Sequence, residues 1–238
     1  MQPSGNDLRF AAIESNLAEY TKNYAAWHWH EYVEFAYIVE GAVECCTPGH
    51  HLTLYEGEGY FVNANILHMN RMAVGNPVSR FRILQFDASL LACSGMLARR
   101  FIVPIEKSDL ECAAFSPRNR EHCPILTDII ELFQTASEEP FGYELQILQF
   151  LFRLWRHFYY LVEPELKEAP LVWDSESSRI KSMLAYIHTN YSENISIADI
   201  SSAANISERA AYRTFKQTLG MTPGSYLQQY RISCASRL

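Results

Sequence analysis

Between residues 27 and 87 the apolar positions come in short runs broken by turn residues. The runs at 34–40, 42–47, 52–55, 60–63 and 79–87 each have the length and β-branched or aromatic character of a strand. Gly41 stops the first, and Pro48-Gly49 and the glutamate–glycine stretch 56–59 separate later ones. In the last run Phe81, Ile83, Gln85 and Asp87 alternate with Arg80, Arg82, Leu84 and Phe86. Short strands at this even spacing predict an antiparallel barrel or jelly roll.

Beyond residue 120 the period lengthens. Residues 88–120 read as irregular, broken at Pro104, Ser108 and Pro117. Leu126, Ile129, Ile130 and Phe133 then recur at helical spacing, and Pro140 ends that helix. The stretch 141–162 reads as a longer helix with two apolar stripes: Leu148, Leu151, Trp155, Phe158 and Val162, and Ile147, Phe150, Leu154 and Leu161. Two stripes require two surfaces to pack on, either both in one chain or one in a second copy. Two prolines and four acidic residues at 163–174 predict a linker. A helix opening near 175 carries Ile180, Met183, Leu184, Ile187 and Tyr191 inward, with His188 at its surface or half-buried and no role assigned.

The final stretch holds three helix signals. Ser196 with Asp199 is a capping pair, so a helix opens at Ile197, and Ile197, Ile200, Ala203 and Ala204 share a face. Asn205 tolerates the left-handed turn that ends it, and Ile206 fills the corner. Ser207 caps a second helix in which Ala211, Phe215 and Leu219 face inward. Gly220 stops it, and Thr222-Pro223 opens a third. The outer face of the middle helix keeps Glu208, Arg209, Tyr212, Arg213, Lys216 and Gln217. That is how a helix-turn-helix offers a recognition helix to the major groove, and also how a small helical pair offers a solvated face.

At 238 residues the chain has room for more than one domain, and its 48% hydrophobic content suits a folded protein. The net charge of −7 argues against a nonspecific nucleic-acid coat. Residues 174–238 carry seven Lys/Arg against five Asp/Glu, while residues 1–173 carry 13 against 22, so only the carboxy-terminal end is cationic. The polar start lacks a signal peptide's apolar core, and polar residues interrupt the run 145–162, so neither secretion nor a membrane span is expected. The six cysteines contain no Cys-x-x-Cys pair and read as free thiols of a reducing cytoplasm.

From about residue 180 to 238 the chain resembles the AraC/XylS family of transcription regulators. The resemblance rests on Tyr186-Ile187, Ile195-Ser196-Ile197, Asp199-Ile200, Ala203, Ile206-Ser207, Arg213, Phe215-Lys216, Gly220, Thr222-Pro223, Tyr226-Leu227, Arg231-Ile232 and Ala235. That family's DNA-binding module holds two helix-turn-helix units joined by a long helix. This sequence supplies the first unit and the start of the joining helix, with Ile232, Ala235 and Leu238 still in apolar register. The expectation is a sequence cut short. The resemblance implies Ser207, Glu208, Arg209, Tyr212, Arg213 and Lys216 as DNA-contacting residues.

A second resemblance lies upstream. His28, His30, Glu34 and Gly41 complete the first cupin motif, H-x-H-x-x-x-E-x-x-x-x-x-x-G. The second motif departs: Asn63 and Asn65 stand where the family has proline and glycine, and Met72 where it has asparagine. His68 completes three imidazoles and a carboxylate if a later strand brings it opposite, a nest for a divalent first-row metal. Without metal the same residues, with Tyr37, would line an effector pocket, as in sensory cupin-like domains of AraC-type regulators.

The expected fold class is therefore α+β: a cupin-like antiparallel barrel over 1–100, a helical dimerisation segment over 101–164, a linker over 165–176 and an AraC-type helix-turn-helix domain over 177–238. The expected function is a ligand-responsive regulator rather than an enzyme, cytoplasmic, binding double-stranded DNA and a small-molecule effector such as a sugar. Homodimerisation through the long helix is expected, and contact with RNA polymerase if it activates. No cofactor is required; a divalent metal at His28, His30, Glu34 and His68 is the candidate. The competing reading is a metal-dependent cupin enzyme with a helical appendage.

Overall fold

The computed structural model describes residues 8–166 and 175–235. The chain divides into two compact units, Met1–Ala169 and Pro170–Leu238. The linker expected at 165–176 and the end at Leu238 fall largely or wholly outside the described residues.

The first unit is built on eight strands: β1 (Phe10–Asn16), β2 (Tyr24–His28), β3 (Val33–Cys46), β4 (His51–Tyr55), β5 (Gly59–Val62), β6 (His68–Met72), β7 (Ser79–Phe86) and β8 (Cys112–Phe115). All pairings are antiparallel. One sheet runs β1-β7-β3-β5-β8; β2, β6 and β4 form the other with the far half of β3.

β3 therefore belongs to both sheets, and Gly41 marks the crossing. The sequence reading ended a strand at Gly41, whereas the structure carries one 14-residue strand through it. Its register slips between Ile38 and Glu40, Gly41 has φ +77°, and a Cβ there would lie 2.0 Å from the Val78 carbonyl oxygen. A bulge with a left-handed glycine bends a strand between sheets without ending it. Alternation along β3 then sorts its side chains. Ala36 and Ile38 enter an apolar cluster with Val43, Leu54, Tyr60 and Phe81. Val33 and Phe35 join a second cluster under the helices.

Residues 88–120 are not irregular. They hold short helical turns, α1 (Gly95–Leu97), a π-helical turn (Ala98–Ile102) and α2 (Val103–Glu106), and then β8, which pairs with β5. The sheet thus extends past residue 100, where the sequence reading closed the barrel. Single apolar residues in a stretch this short leave no period to read.

Two long helices cover one sheet: α3 (Cys123–Glu138) and α4 (Tyr143–Val162). Both stripes of α4 pack within the chain. Leu151, Trp155, Phe158 and Val162 are buried in the same cluster as Ile147 and Leu154, with Phe150 and Leu161 against it. The expectation that the second stripe waits for another copy is therefore corrected, because α3 and the sheet already cover it. Asp128 of α3, buried, accepts hydrogen bonds from Arg153 Nε (2.6 Å) and His157 Nδ1 (2.7 Å) of α4.

The second unit is all helical: α5 (Ser175–Asn190), α6 (Ile197–Ser202), α7 (Glu208–Leu219) and α8 (Pro223–Ala235). Its core is Ile180, Met183, Leu184, Ile187, Ile200, Ala211, Phe215, Leu219, Tyr226 and Leu227. His188 is half-buried, as one of the two placements expected, and it has partners: its Nε2 lies 2.7 Å from the Tyr226 hydroxyl, and its ring stacks on Tyr230 at 4.2 Å. The α+β class with a cupin-like antiparallel region and a helix-turn-helix holds. No helix among the described residues is long and apolar enough to cross a membrane.

Candidate functional site

In the barrel, His28 ends β2 and pairs directly with His68 at the start of β6. His30 lies in the connection to β3, so it shares a strand with neither His28 nor Glu34. The chain turns between 29 and 32, and the turn aims His30 back at the same point. The ring centroids are 4.3 Å apart for His28–His68, 5.1 Å for His30–His68 and 5.9 Å for His28–His30. One ligand atom from each of the three lies within 4.8 Å of the others.

The same device orients each ring. His28 Nδ1 lies 2.8 Å from the Ala26 carbonyl oxygen, His30 Nδ1 2.8 Å from that of Tyr32, and His68 Nδ1 2.8 Å from that of Ile66. A proton on Nδ1 donated to a carbonyl leaves the Nε2 lone pair free and aimed. His68 Nε2 is buried and has no hydrogen-bond partner.

Glu34 sits beside these rings, 1% exposed. Its Oε2 is 3.4 Å from His30 Nε2 and 3.7 Å from His68 Nε2. Tyr60 donates its hydroxyl proton to Oε1 at 3.0 Å, and Gln85 donates to Oε2 at 2.9 Å. Burial works against the Glu34 charge, but His30 and His68 outweigh it and hold its pKa well below the usual carboxylate range. Burial also works against a charged His30, yet the hydrogen bond and charge of Glu34 raise its pKa. His28 is the reverse case: burial, then His68, push its pKa down to about 3, so it stays neutral. The three imidazoles form the mutual group, and the Glu34 carboxylate lies within 4.0 Å of two of them.

Tyr37 does not join this site. It lies one residue out of phase with Glu34 and Ala36 and packs against the cluster beneath the helices, because successive side chains of a strand point to opposite faces. Conversely, sequence reasoning missed Tyr60, Gln85 and Asn70. Gln85 left a signal, since it stood among the apolar residues of its strand. Asn70 Oδ1 is buried without a partner, two residues along β6 from His68 and so on the same face.

The departures of the second motif have structural work. Asn65 holds φ +60°, the conformation glycine would supply, while its N–H donates to the His30 carbonyl at 2.8 Å. Asn63, buried, donates from Nδ2 to the carbonyls of Ile105 (2.7 Å) and Leu110 (3.1 Å).

The second candidate surface lies on α7. A capping box opens α6: Asp199 N–H donates to Ser196 Oγ at 3.2 Å, and Ser196 N–H donates to Asp199 Oδ2 at 2.8 Å. The Ser196 hydroxyl also donates to Asp199 Oδ2 at 2.6 Å, and that bond, with the one from Ser196 N–H, lowers the pKa of Asp199. Asn205 turns the chain at φ +53°. Ser207 Oγ accepts from Ala210 N–H at 3.3 Å and starts α7, and Gly220 at φ +71° ends it. Ala211, Thr214, Phe215 and Leu219 face inward. Ser207, Glu208, Arg209, Tyr212, Arg213 and Lys216 are all exposed, Tyr212 by 44%. Lys216 Nζ donates to the Gly220 carbonyl at 2.9 Å, so its ammonium also caps its own helix.

Comparison with known proteins agrees with both halves. Residues 187–228 match the bacterial regulatory helix-turn-helix proteins of the AraC family, and residues 20–79 match the cupin domain. The chain thus joins an AraC-type helix-turn-helix segment to a cupin domain in its amino-terminal half, the make-up of a ligand-responsive DNA-binding regulator. It is 25% identical over 228 residues to the uncharacterized HTH-type transcriptional regulator YdeC of Bacillus subtilis (strain 168), covering 95% of this chain and 77% of that one. It is 32% identical over 95 residues to the lactose operon transcription activator of Staphylococcus xylosus, covering 40% of this chain and 33% of that one. The crystal structure of ToxT from Vibrio cholerae O395 superposes with a TM-score of 0.48 at 10% identity, over 94% of this chain and 80% of that one.

Proposed function

We propose that this regulator senses occupancy of the three-histidine site in its barrel and answers by changing how α7 engages DNA. The observation that carries the reading is His68 Nε2, buried and without a partner, with its Nδ1 tied to a backbone carbonyl. Leaving a buried polar atom unpaired costs about 1–3 kcal/mol, which a ligand at the site removes. The donor set fits a divalent first-row metal: three imidazoles, a carboxylate alongside and a backbone carbonyl anchoring each ring. Such an ion would supply open positions for a small oxygen- or nitrogen-bearing effector, with Asn70, Tyr60 and Gln85 nearby to orient it. His28 is ready in its neutral form, whereas Glu34 favours the charged form of His30 and so competes with metal for it.

At the other end, Arg209 and Tyr212 lie where a recognition helix meets base edges, and Arg213 and Lys216 reach toward phosphate. Each phosphate that α7 neutralises should add about 0.9 to the slope with which log affinity falls against log salt. A DNA reader of this kind works in the cytoplasm.

The test is metal analysis of the purified chain, paired with a gel shift on the DNA upstream of its own gene. The expected result is about one equivalent of iron, manganese, nickel or zinc, lost in His68→Gln, and an operator affinity that changes when a chelator is added. A chain that takes up none of these metals, or whose DNA affinity ignores their removal, contradicts the reading.

A further inference from the structure

The long helix carries a third line of apolar residues that neither predicted stripe includes. Phe152 (40% exposed) and Tyr160 (67% exposed) project from it beside the helical turns at 91–102. Between them lies a groove of about 540 Å³ on the outside of the barrel. That volume is in the range of small-molecule sites. Phe101, Ile102, Phe152, Trp155 and Tyr159 supply its walls, and Arg156 stands among them.

The walls are fixed in place. Trp155 Nε1 donates to the Phe101 carbonyl at 2.9 Å, and Phe101 meets Tyr159 edge-on at 5.1 Å. Phe101 lies in the π-helical turn, and such turns free a carbonyl from the regular ladder; here Trp155 takes it up. The floor is therefore preformed.

Charge narrows the occupant. The chain as a whole is acidic, with a net charge of −7, yet the groove is lined by no carboxylate and by two arginines. Arg153 is committed to Asp128 and Glu131. Among the described residues, Arg156 has no carboxylate within 4.0 Å; its guanidinium lies 3.3 Å from His157 Nε2. Arg100 stands over the Phe101 ring, 5.3 Å from its centroid. A second copy of the chain would bring this patch against itself in a symmetric pair, cation facing cation.

We propose that the groove between the 91–102 turns and α4 binds a small apolar carboxylate, with its hydrocarbon body on Phe101, Phe152 and Trp155 and its carboxylate on Arg156. This is separate from the histidine site and does not rest on it. The guanidinium fork suits a carboxylate in two-point contact. Five aromatic rings favour an aryl body, and an alkyl chain has the same anchor.

The test is calorimetric titration of the full chain with naphthoate, with nonanoate as the alkyl arm, and with naphthalenemethanol as the uncharged counterpart. The expected result is that naphthoate binds at least about tenfold more tightly than the alcohol, a ratio within reach of one charge-assisted contact. Arg156→Gln should abolish that ratio while leaving the alcohol unchanged. Phe152→Ala should weaken acid and alcohol alike. Both positions are exposed, and circular dichroism checks that each variant folds. Equal binding of acid and alcohol overturns the proposal. So does an acid affinity indifferent to both variants, which would place the ligand elsewhere. So does sedimentation showing a dimer that Phe152→Ala splits and naphthoate does not, which would make a second copy the occupant.

Discussion

Acidifying the protein should loosen its DNA-binding unit through one residue, His188. Its Nε2 lies 2.7 Å from the Tyr226 hydroxyl, its ring stacks on Tyr230, and burial pushes its pKa from the ordinary 6.5 to about 4. A neutral Nε2 accepts the tyrosine proton; a protonated one cannot. The folded state therefore binds this proton less readily than the unfolded chain. The sign follows: folding is unaffected by His188 above pH 6.5 and loses free energy as pH falls from there toward 4. The gap between those values corresponds to about 3 kcal/mol once pH is below both, and to about 2 kcal/mol at pH 5. His188 is half-buried, so roughly half of that is a safer expectation. The assay is urea unfolding of wild type and His188→Gln followed by ellipticity, between about pH 7.5 and about pH 5. Glutamine can still accept the Tyr226 proton but does not titrate. It should cost stability at neutral pH through lost stacking and then gain on wild type as the solution is acidified. If the two proteins lose stability in parallel across that window, the argument from burial is wrong.

The remaining predictions concern the helices that read DNA and the site that signals to them. Arg209→Ala should relax sequence preference by about 1–3 kcal/mol at one base pair, read by competition gel shifts with single-base variants. Lys216→Ala should weaken binding at every sequence and reduce the salt slope by about one; the reverse pattern would show that the facing of α7 is misassigned. Gly220→Ala should lower the melting temperature, because φ +71° costs an L-residue about 1 kcal/mol although nothing lies within 4 Å of the added carbon. Metal uptake should weaken as pH falls, since His30, its pKa raised by Glu34, must lose a proton to bind; uptake that strengthens on acidification would contradict this.

Local signals were legible where the chain solves a local problem. Ser196, Asp199, Asn205, Ser207 and Gly220 each hold an end of a helix against unpaired backbone groups, and such residues betray themselves by type and spacing. The apolar period of Ala211, Phe215 and Leu219 likewise needs no distant partner. The errors came where the answer lay in another strand. Gly41 reads equally as a stop or a bend, and the Val78 backbone against it decides. Tyr37 was lost by one step of parity. Tyr60, Gln85 and Asn70 meet Glu34 and His68 only through the registers of β3 with β5 and β7 and of β2 with β6. The stripes of α4 were read correctly as apolar, but periodicity says nothing of what covers a face, and the covered faces proved to be the chain's own.

The barrel can influence α7 only by as much free energy as its ligand distinguishes between two states of the protein. One local source of that energy can be identified. Among the described residues His68 Nε2 is buried without a hydrogen-bond partner, and filling the site relieves a penalty of about 1–3 kcal/mol. Couplings between sites are typically of the same size, roughly 5- to 150-fold in affinity. Loading the barrel should therefore move operator affinity within that span if the relief is felt in only one of the two states. A shift of several thousandfold would need more than one unpaired atom can provide, and Asn70 Oδ1, buried and unpartnered on the same strand face, is the next group able to contribute.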